Sequence, residues 1–114
     1  MHLNELTRFT DDVEAVSEFY ESLPGAEEVA AGEGISIVSV GGVTVLVHEE
    51  YDAEGDDLPP DDHVSFEVED LDATVADLQD AGLEIARGPE EYDWGRSAYL
   101  RDPDGRQIEI AEAE

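Results

Sequence analysis

A chain of 114 residues is long enough to form one compact domain with its own core, and too short for two domains of ordinary size. The sequence holds 32 Asp and Glu residues against five Lys and Arg residues, and this formal net charge of −27 argues against nucleic acids and anionic membranes as partners. It has no cysteine, which excludes disulfides, thiolate metal sites and thiol nucleophiles, so any bound metal must have oxygen or imidazole ligands.

The first half of the chain predicts a strand, a helix and three further strands. After a short strand that includes Glu5, the acids Asp11 and Asp12 stand where a helix would begin, and apolar residues follow at helical spacing. Pro24 and Gly25 end that helix. Three strand-like segments come next, near residues 27–31, 35–40 and 43–48, and the Gly-Gly pair at 41–42 predicts a hairpin turn between the last two.

The second half repeats this order. Alternating apolar residues over 63–68 predict a strand with one apolar face, Asp70 precedes a second helix, and Gly82 ends it. Strand-like segments follow near residues 84–87, 97–101 and 107–111, with an Asp-Gly turn at 104–105 before the last. Residues 63–81 can be laid over residues 5–23 with a shift of 58, so the sequence predicts a duplicated βαβββ unit.

The second half also carries two strings that resemble a known family. DHVSFEVEDLDATVADLQDAGLEI and GPEEYDWGRSAYLRDPDGRQIEIAE are similar to the vicinal oxygen chelate superfamily of glyoxalases, bleomycin-resistance proteins and extradiol dioxygenases. The resemblance implies an α+β fold, in which two βαβββ units form a curled mixed sheet around a cavity with the helices on the outer face. We therefore expect a single domain over residues 1–114, with units at 1–49 and 61–114 joined by an acidic, Gly- and Pro-containing linker at 50–60.

The resemblance also implies a divalent metal site. His63 and Glu109 match ligand positions of the family, and strand alternation independently places both on the face opposite the apolar residues. The 58-residue shift places Glu5 at the position equivalent to His63, and a carboxylate there can bind a hard cation, so Glu5 is the candidate third ligand. Mn, Fe, Zn, Ni or Mg would suit this set, with Glu5 or Glu109 as the candidate catalytic carboxylate. The competing interpretation is that all three are ordinary polar residues on half-exposed strands.

The first half departs from the family pattern at the fourth ligand position. Laying Gly42 over Gly105 places Leu46 opposite Glu109, and leucine cannot bind a metal. His48 lies two residues further on and shares the face of Leu46, so it is a candidate substrate-binding residue. The alternative is a solvated histidine at a strand end, beside Glu49 and Glu50.

The only concentration of aromatic and basic residues surrounds the DWGR segment. It would bind an anionic or carbonyl-bearing ligand through charge-assisted hydrogen bonds from arginine and through aromatic stacking. The alternative is that the arginines offset local acidity and the tryptophan packs against its neighbours. The candidate substrate-binding residues are Trp94, Arg96, Tyr99 and Arg101, together with His48.

Two functional classes follow from these observations. The first is a glyoxalase-like metal-dependent isomerase or lyase acting on a small oxygen-rich metabolite, and the second is a metal-free small-molecule-binding protein similar to the bleomycin-resistance branch. An extradiol-type dioxygenase fits less well, because the resemblance to that branch implies two histidines and one carboxylate. This chain offers one histidine and two carboxylates at the candidate ligand positions.

The charge and the absence of long apolar runs also predict the salt environment and the cellular location of the protein. Molar salt would screen repulsion among so many acids, so we expect an acidic protein of the haloarchaeal type. No secretory signal or membrane span is evident, which predicts a cytoplasmic protein, and unpaired sheet edges predict a homodimer.

Overall fold

The computed structural model describes residues 1–114 and contains two helices and eight strands. The elements follow the order β1 (His2–Thr10), α1 (Val13–Glu21), β2 (Ala26–Gly32), β3 (Ile35–Val40), β4 (Val43–Glu49), β5 (His63–Val68), α2 (Leu71–Asp80), β6 (Arg87–Tyr92), β7 (Gly95–Arg101) and β8 (Gln107–Glu112). The predicted α+β class with two βαβββ units is confirmed. Neither helix has the length and apolar character needed to span a membrane.

The chain divides into two compact units, of which one is Glu5–Asp62. In this unit β1 pairs in parallel with β4, while β3 pairs antiparallel with both β4 and β2. Asp12 caps the N-terminus of helix α1, and its side chain accepts a hydrogen bond from the backbone N–H of Ala15 at 3.0 Å. The apolar residues of α1 pack on a core of buried valines: Val38, Val45 and Val47.

The other unit comprises Met1–Asn4 and His63–Glu114. Here β5 pairs in parallel with β8, and β7 pairs antiparallel with both β8 and β6. Asp70 caps helix α2 through the backbone N–H of Ala73. The helix packs on one face of the sheet through a buried cluster of Val68, Leu71, Val75, Ala98, Leu100 and Ile110.

Strand register confirms the internal duplication in detail. Thr7 pairs with Leu46 in the first unit, and Ser65, which lies 58 residues after Thr7, pairs with Glu109 in the second. Leu46 is therefore the structural equivalent of Glu109, as the glycine alignment predicts. The first unit thus has no metal donor at the position that Glu109 occupies in the second.

The prediction for β6 is wrong. A strand is expected near residues 84–87, but the observed strand is Arg87–Tyr92, and its pairing with β7 shifts between Arg87 and Glu90. Strand β6 pairs only with β7, so it is an edge strand, and it carries exposed acids that protect this edge from pairing with other chains. Because of these acids, β6 lacks the apolar alternation by which a strand is predicted from sequence. Of the other predicted strands, those at 27–31, 35–40, 43–48, 97–101 and 107–111 lie within two residues of the observed bounds.

Candidate functional site

The second unit's sheet has a polar face opposite α2. Ala98, Leu100 and Ile110 contact the helix side, so the alternate residues of the same strands point the other way. Most of these polar side chains are buried, with Ser97 0% and Glu109 5% exposed. Burying polar groups is costly unless they are hydrogen-bonded, and such a row marks a candidate site. We call this surface the polar face; it comprises His63, Ser65, Ser97, Tyr99, Gln107 and Glu109.

His63 and Glu109 lie together at the centre of the polar face. The Nε2 atom of His63 is 3.2 Å from Oε1 of Glu109. The other carboxylate oxygen, Oε2, accepts a hydrogen bond from the Ser97 hydroxyl at 2.7 Å. The amide nitrogen of Gln107 is 3.3 Å from Nδ1 of His63, so both ring nitrogens have polar neighbours.

The pKa of Glu109 lies below its ordinary value. Burial by itself would raise this pKa, because it disfavours the charged form. Hydrogen bonds from His63 and Ser97, the charge of His63, and a hydrogen bond from Tyr99 outweigh burial and lower it. Glu109 is therefore a carboxylate at neutral pH, the form needed to bind a cation or accept a proton.

An aromatic row leads from the surface to His63. Trp94 is 53% exposed and stacks on Tyr92, with ring centroids 4.7 Å apart and planes within 2°. Tyr92 meets Tyr99 edge-on at 6.1 Å, and Tyr99 meets the His63 ring edge-on at 6.1 Å. Of the predicted substrate-binding residues, Tyr99 thus contacts the metal-site candidate His63 directly, and Trp94 is connected to it through Tyr92 and Tyr99.

The two candidate arginines have partners within the fold. Arg96 forms ion pairs with Asp72 of α2 at 3.0 Å and with Glu112 of β8 at 3.3 Å. Arg101 donates a hydrogen bond to the carbonyl oxygen of Gly105 at 3.1 Å, across the turn between β7 and β8. The structure therefore separates Arg96 from the polar face and gives both side chains structural partners.

His48 belongs to an aromatic group in the first unit. Its ring lies 5.5 Å from that of Phe9 and 6.0 Å from that of Tyr51, and its Nδ1 atom is 2.7 Å from the carbonyl oxygen of Glu49. Glu5 lies on β1 with the same strand parity as Phe9, so it faces away from α1 within this unit. Both residues thus lie on the face opposite α1.

Comparison with known proteins identifies the family. Residues 2–110 match the family described as Glyoxalase/Bleomycin resistance protein/Dioxygenase superfamily. The chain belongs to this superfamily.

Individual relatives agree with that assignment. The chain is 26% identical over 113 residues to Metallothiol transferase FosB of Shouchella clausii, covering 95% of this chain and 77% of that protein. It is 35% identical over 107 residues to "Putative glyoxylase CFP32" of Mycobacterium tuberculosis, covering 90% of this chain but only 40% of the relative's length. Methylmalonyl-CoA epimerase from Mycobacterium tuberculosis shares the fold, with a TM-score of 0.70, 18% identity, and coverage of 99% of this chain and 88% of that one.

Members of this superfamily commonly use divalent metals, and the polar face offers two suitable donors. Two ligand atoms bound to one ion at about 2.1 Å lie about 3.0–3.5 Å apart when the bond angle is between a right angle and tetrahedral. The 3.2 Å between Nε2 of His63 and Oε1 of Glu109 fits that range. The structure holds no group of three or more His, Asp and Glu side chains placed to bind one ion, so Glu5 stays a predicted ligand.

Ser97 and Gln107 are the residues that the sequence analysis missed. Both are buried on the polar face and contact the His63–Glu109 pair. Strand alternation could have predicted their face, because Gln107 shares strand parity with Glu109 and Ser97 shares it with Tyr99. Nothing in the local sequence distinguishes these side chains from exposed polar residues on a strand.

Proposed function

We propose that the protein is a glyoxalase-like, metal-dependent isomerase or lyase that acts on a small oxygen-rich metabolite, with His63 and Glu109 as metal ligands. The observation that carries this proposal is the buried His63–Glu109 pair, whose donor atoms are 3.2 Å apart. Burying an ionised carboxylate is costly unless a charge of opposite sign or several hydrogen bonds compensate for it, and a bound cation would add such a charge beside Glu109.

A bound divalent ion would act as a Lewis acid that polarises neighbouring substrate oxygens. The chain's own groups would orient the substrate and manage protons. Glu109 is ionised and 5% exposed, so it retains its negative charge in a site with little access to bulk water. Glu5, the residue equivalent to His63 in the first unit, is the proposed third ligand and the second candidate to carry a proton.

The aromatic row supports a substrate-binding role for Trp94 and Tyr99. Trp94 presents a largely exposed ring beside Tyr92, and the row continues to His63. A ligand held against Trp94 would extend along this row toward the proposed metal ligands. Three acids near Trp94, at positions 90, 91 and 93, favour uncharged over anionic ligands at this end.

A specific observation favours a second function, that of a metal-free binding protein. Leu46 stands at the position equivalent to Glu109, so the first unit supplies at most Glu5 to a metal site. In that case the polar face and the aromatic row would hold a small molecule without transforming it. The two functions differ in whether metal and proton transfer are required.

Exchange of carbon-bound hydrogen with solvent separates the two functions. Small α-hydroxycarbonyl compounds would be incubated in D2O and molar potassium chloride with the protein and Mn²⁺, and deuterium uptake followed by proton NMR. An isomerase or lyase of this type gives exchange that needs both the ion and His63, so His63→Ala abolishes it. Saturable binding of a compound by metal-free protein, with no exchange under any condition, would replace the enzyme with the binding protein.

A further inference from the structure

The two carboxylate oxygens of Glu109 have different partners because Ser97 binds only one of them. Its hydroxyl is fully buried and donates to Oε2 at 2.7 Å, whereas Oε1 faces Nε2 of His63 at 3.2 Å. The antiparallel pairing of β7 with β8 fixes this arrangement, because Tyr99 pairs directly with Glu109 and Ser97 lies two residues away on the same face. Tyr99 also donates a hydrogen bond to this carboxylate. With Ser97 holding Oε2, Oε1 is the oxygen that lies beside the donor nitrogen of His63.

Gln107 contacts the side of the His63 ring that faces away from the carboxylate. Its amide nitrogen is 3.3 Å from Nδ1, which accepts this hydrogen bond when the ring proton is on Nε2. If Nε2 served as a metal ligand, the neutral His63 ring would carry its hydrogen on Nδ1 instead. Half a turn of the Gln107 amide brings its oxygen to accept from Nδ1–H, so this residue is a hydrogen-bond partner for either form of the ring.

From these contacts we propose that Ser97 and Gln107 are positioning residues for the metal ligands. Ser97 restricts Glu109 to binding through one oxygen, Oε1, and Gln107 presents Nε2 of His63 as the donor nitrogen. The consequence is that the pair occupies two coordination positions and leaves the others for further ligands and substrate. This inference rests on the proposed metal-binding function and assigns roles to two residues outside the ligand set.

Cobalt(II) is a suitable probe, because its visible absorption spectrum responds to the number and type of ligands. Ser97→Ala removes the hydrogen bond that orients Glu109, so the Kd for Co²⁺ rises about 10-fold, the low end of the effect of losing such a partner. Without that hydrogen bond the carboxylate also changes its mode of binding, so the spectrum of the Co²⁺-loaded protein changes. Ser97→Thr retains the hydroxyl and restores the wild-type spectrum. Ser36→Ala removes a buried hydroxyl from the first unit, outside the polar face, and serves as the control.

Nitrogen-15 NMR of metal-free protein tests Gln107 without any metal. The two ring nitrogens of His63 give different shifts when one carries the proton, and Gln107→Leu removes the hydrogen bond to Nδ1, which changes the Nδ1 shift. In the Co²⁺ titration the same variant binds about 10-fold more weakly than wild type. Near-UV circular dichroism checks that each variant keeps the wild-type fold.

The outcomes distinguish this inference from the proposed function. If wild type binds Co²⁺ but Ser97→Ala and Gln107→Leu match it in Kd and spectrum, the positioning roles are wrong while the metal site stands. If wild type does not bind Co²⁺, the proposed metal-dependent function is wrong, and the assignment of Ser97 falls with it. Unchanged His63 nitrogen shifts in Gln107→Leu overturn the role of Gln107 in either case.

Discussion

Replacing Glu109 with alanine tests whether the buried network exists independently of any metal. The change removes the acceptor of the Ser97 hydroxyl and the carboxylate beside Nε2 of His63, and each buried polar group left without a partner costs about 1–3 kcal/mol. The variant no longer has to bury a charged carboxylate, and the free energy saved in this way offsets part of the cost. Breaking a buried pair by removing one member costs about 3–5 kcal/mol, so we expect Glu109→Ala to lower the free energy of unfolding by about 3 kcal/mol.

Glu109→Gln should cost less, about 1 kcal/mol, because the amide oxygen can still accept from Ser97 while its nitrogen donates to the other tautomer of His63. Chemical denaturation of metal-free protein in molar potassium chloride measures both changes. In thermal unfolding, about 3 kcal/mol corresponds to a fall of about 12 °C in Tm for a chain of this size. The control is Glu91→Ala, which removes an exposed acid from β6 and should shift stability by less than about 0.5 kcal/mol. A Glu109→Ala protein as stable as wild type would refute the hydrogen-bond network.

Three further predictions concern charge and assembly. The net charge of −27 is repulsive, so Tm should rise between low salt and molar potassium chloride, and a flat or falling Tm would remove the halophile interpretation. Strands β2 and β6 each pair with one neighbour, so we expect a homodimer, and light scattering should give about twice the 12.4 kDa chain mass. Backbone N–H groups of Arg106 and Asp104 donate to Asp102, and together with the Arg106 side chain they hold its pKa below the ordinary value despite the opposing effect of desolvation. The stabilisation from Asp102 is therefore present above its unfolded pKa of about 3.9 and is lost as pH falls through the folded pKa. NMR titration of wild type would detect the lowered pKa as a carboxyl signal that is absent from Asp102→Asn.

The sequence predicts the parts of the fold that depend on local pattern. Alternation and capping acids predict β5 and α2, and the two glycines at 41–42 both adopt the positive φ that a tight hairpin turn requires. The same alternation predicts that His63 and Glu109 share a face, and the structure brings them within hydrogen-bonding distance. At these positions the structure follows from local sequence, namely side-chain alternation along a strand, helix capping and turn glycines.

Features that depend on neighbouring strands escape this reasoning. The burial of Ser97 and Gln107 follows from sheet pairing and coverage of the polar face, neither of which local composition reveals. Arg96 illustrates a different limit: its proximity to Trp94 in sequence leaves open whether it binds a ligand or offsets local acidity, and in the structure it has the strand parity of Ala98 and pairs with Asp72 on the α2 side. Parity was the better guide than sequence proximity.

Calorimetric titration of the purified protein with Mn²⁺, Zn²⁺, Ni²⁺ and Fe²⁺ in molar potassium chloride tests the central claim most directly. If His63 and Glu109 bind a divalent ion together, at least one of these ions shows a saturable site on wild type, and both His63→Ala and Glu109→Gln weaken it by more than the about 10-fold expected for the positioning residues. Wild type that shows no saturable site for any of the four ions would contradict the account and leave the metal-free binding protein as the better description.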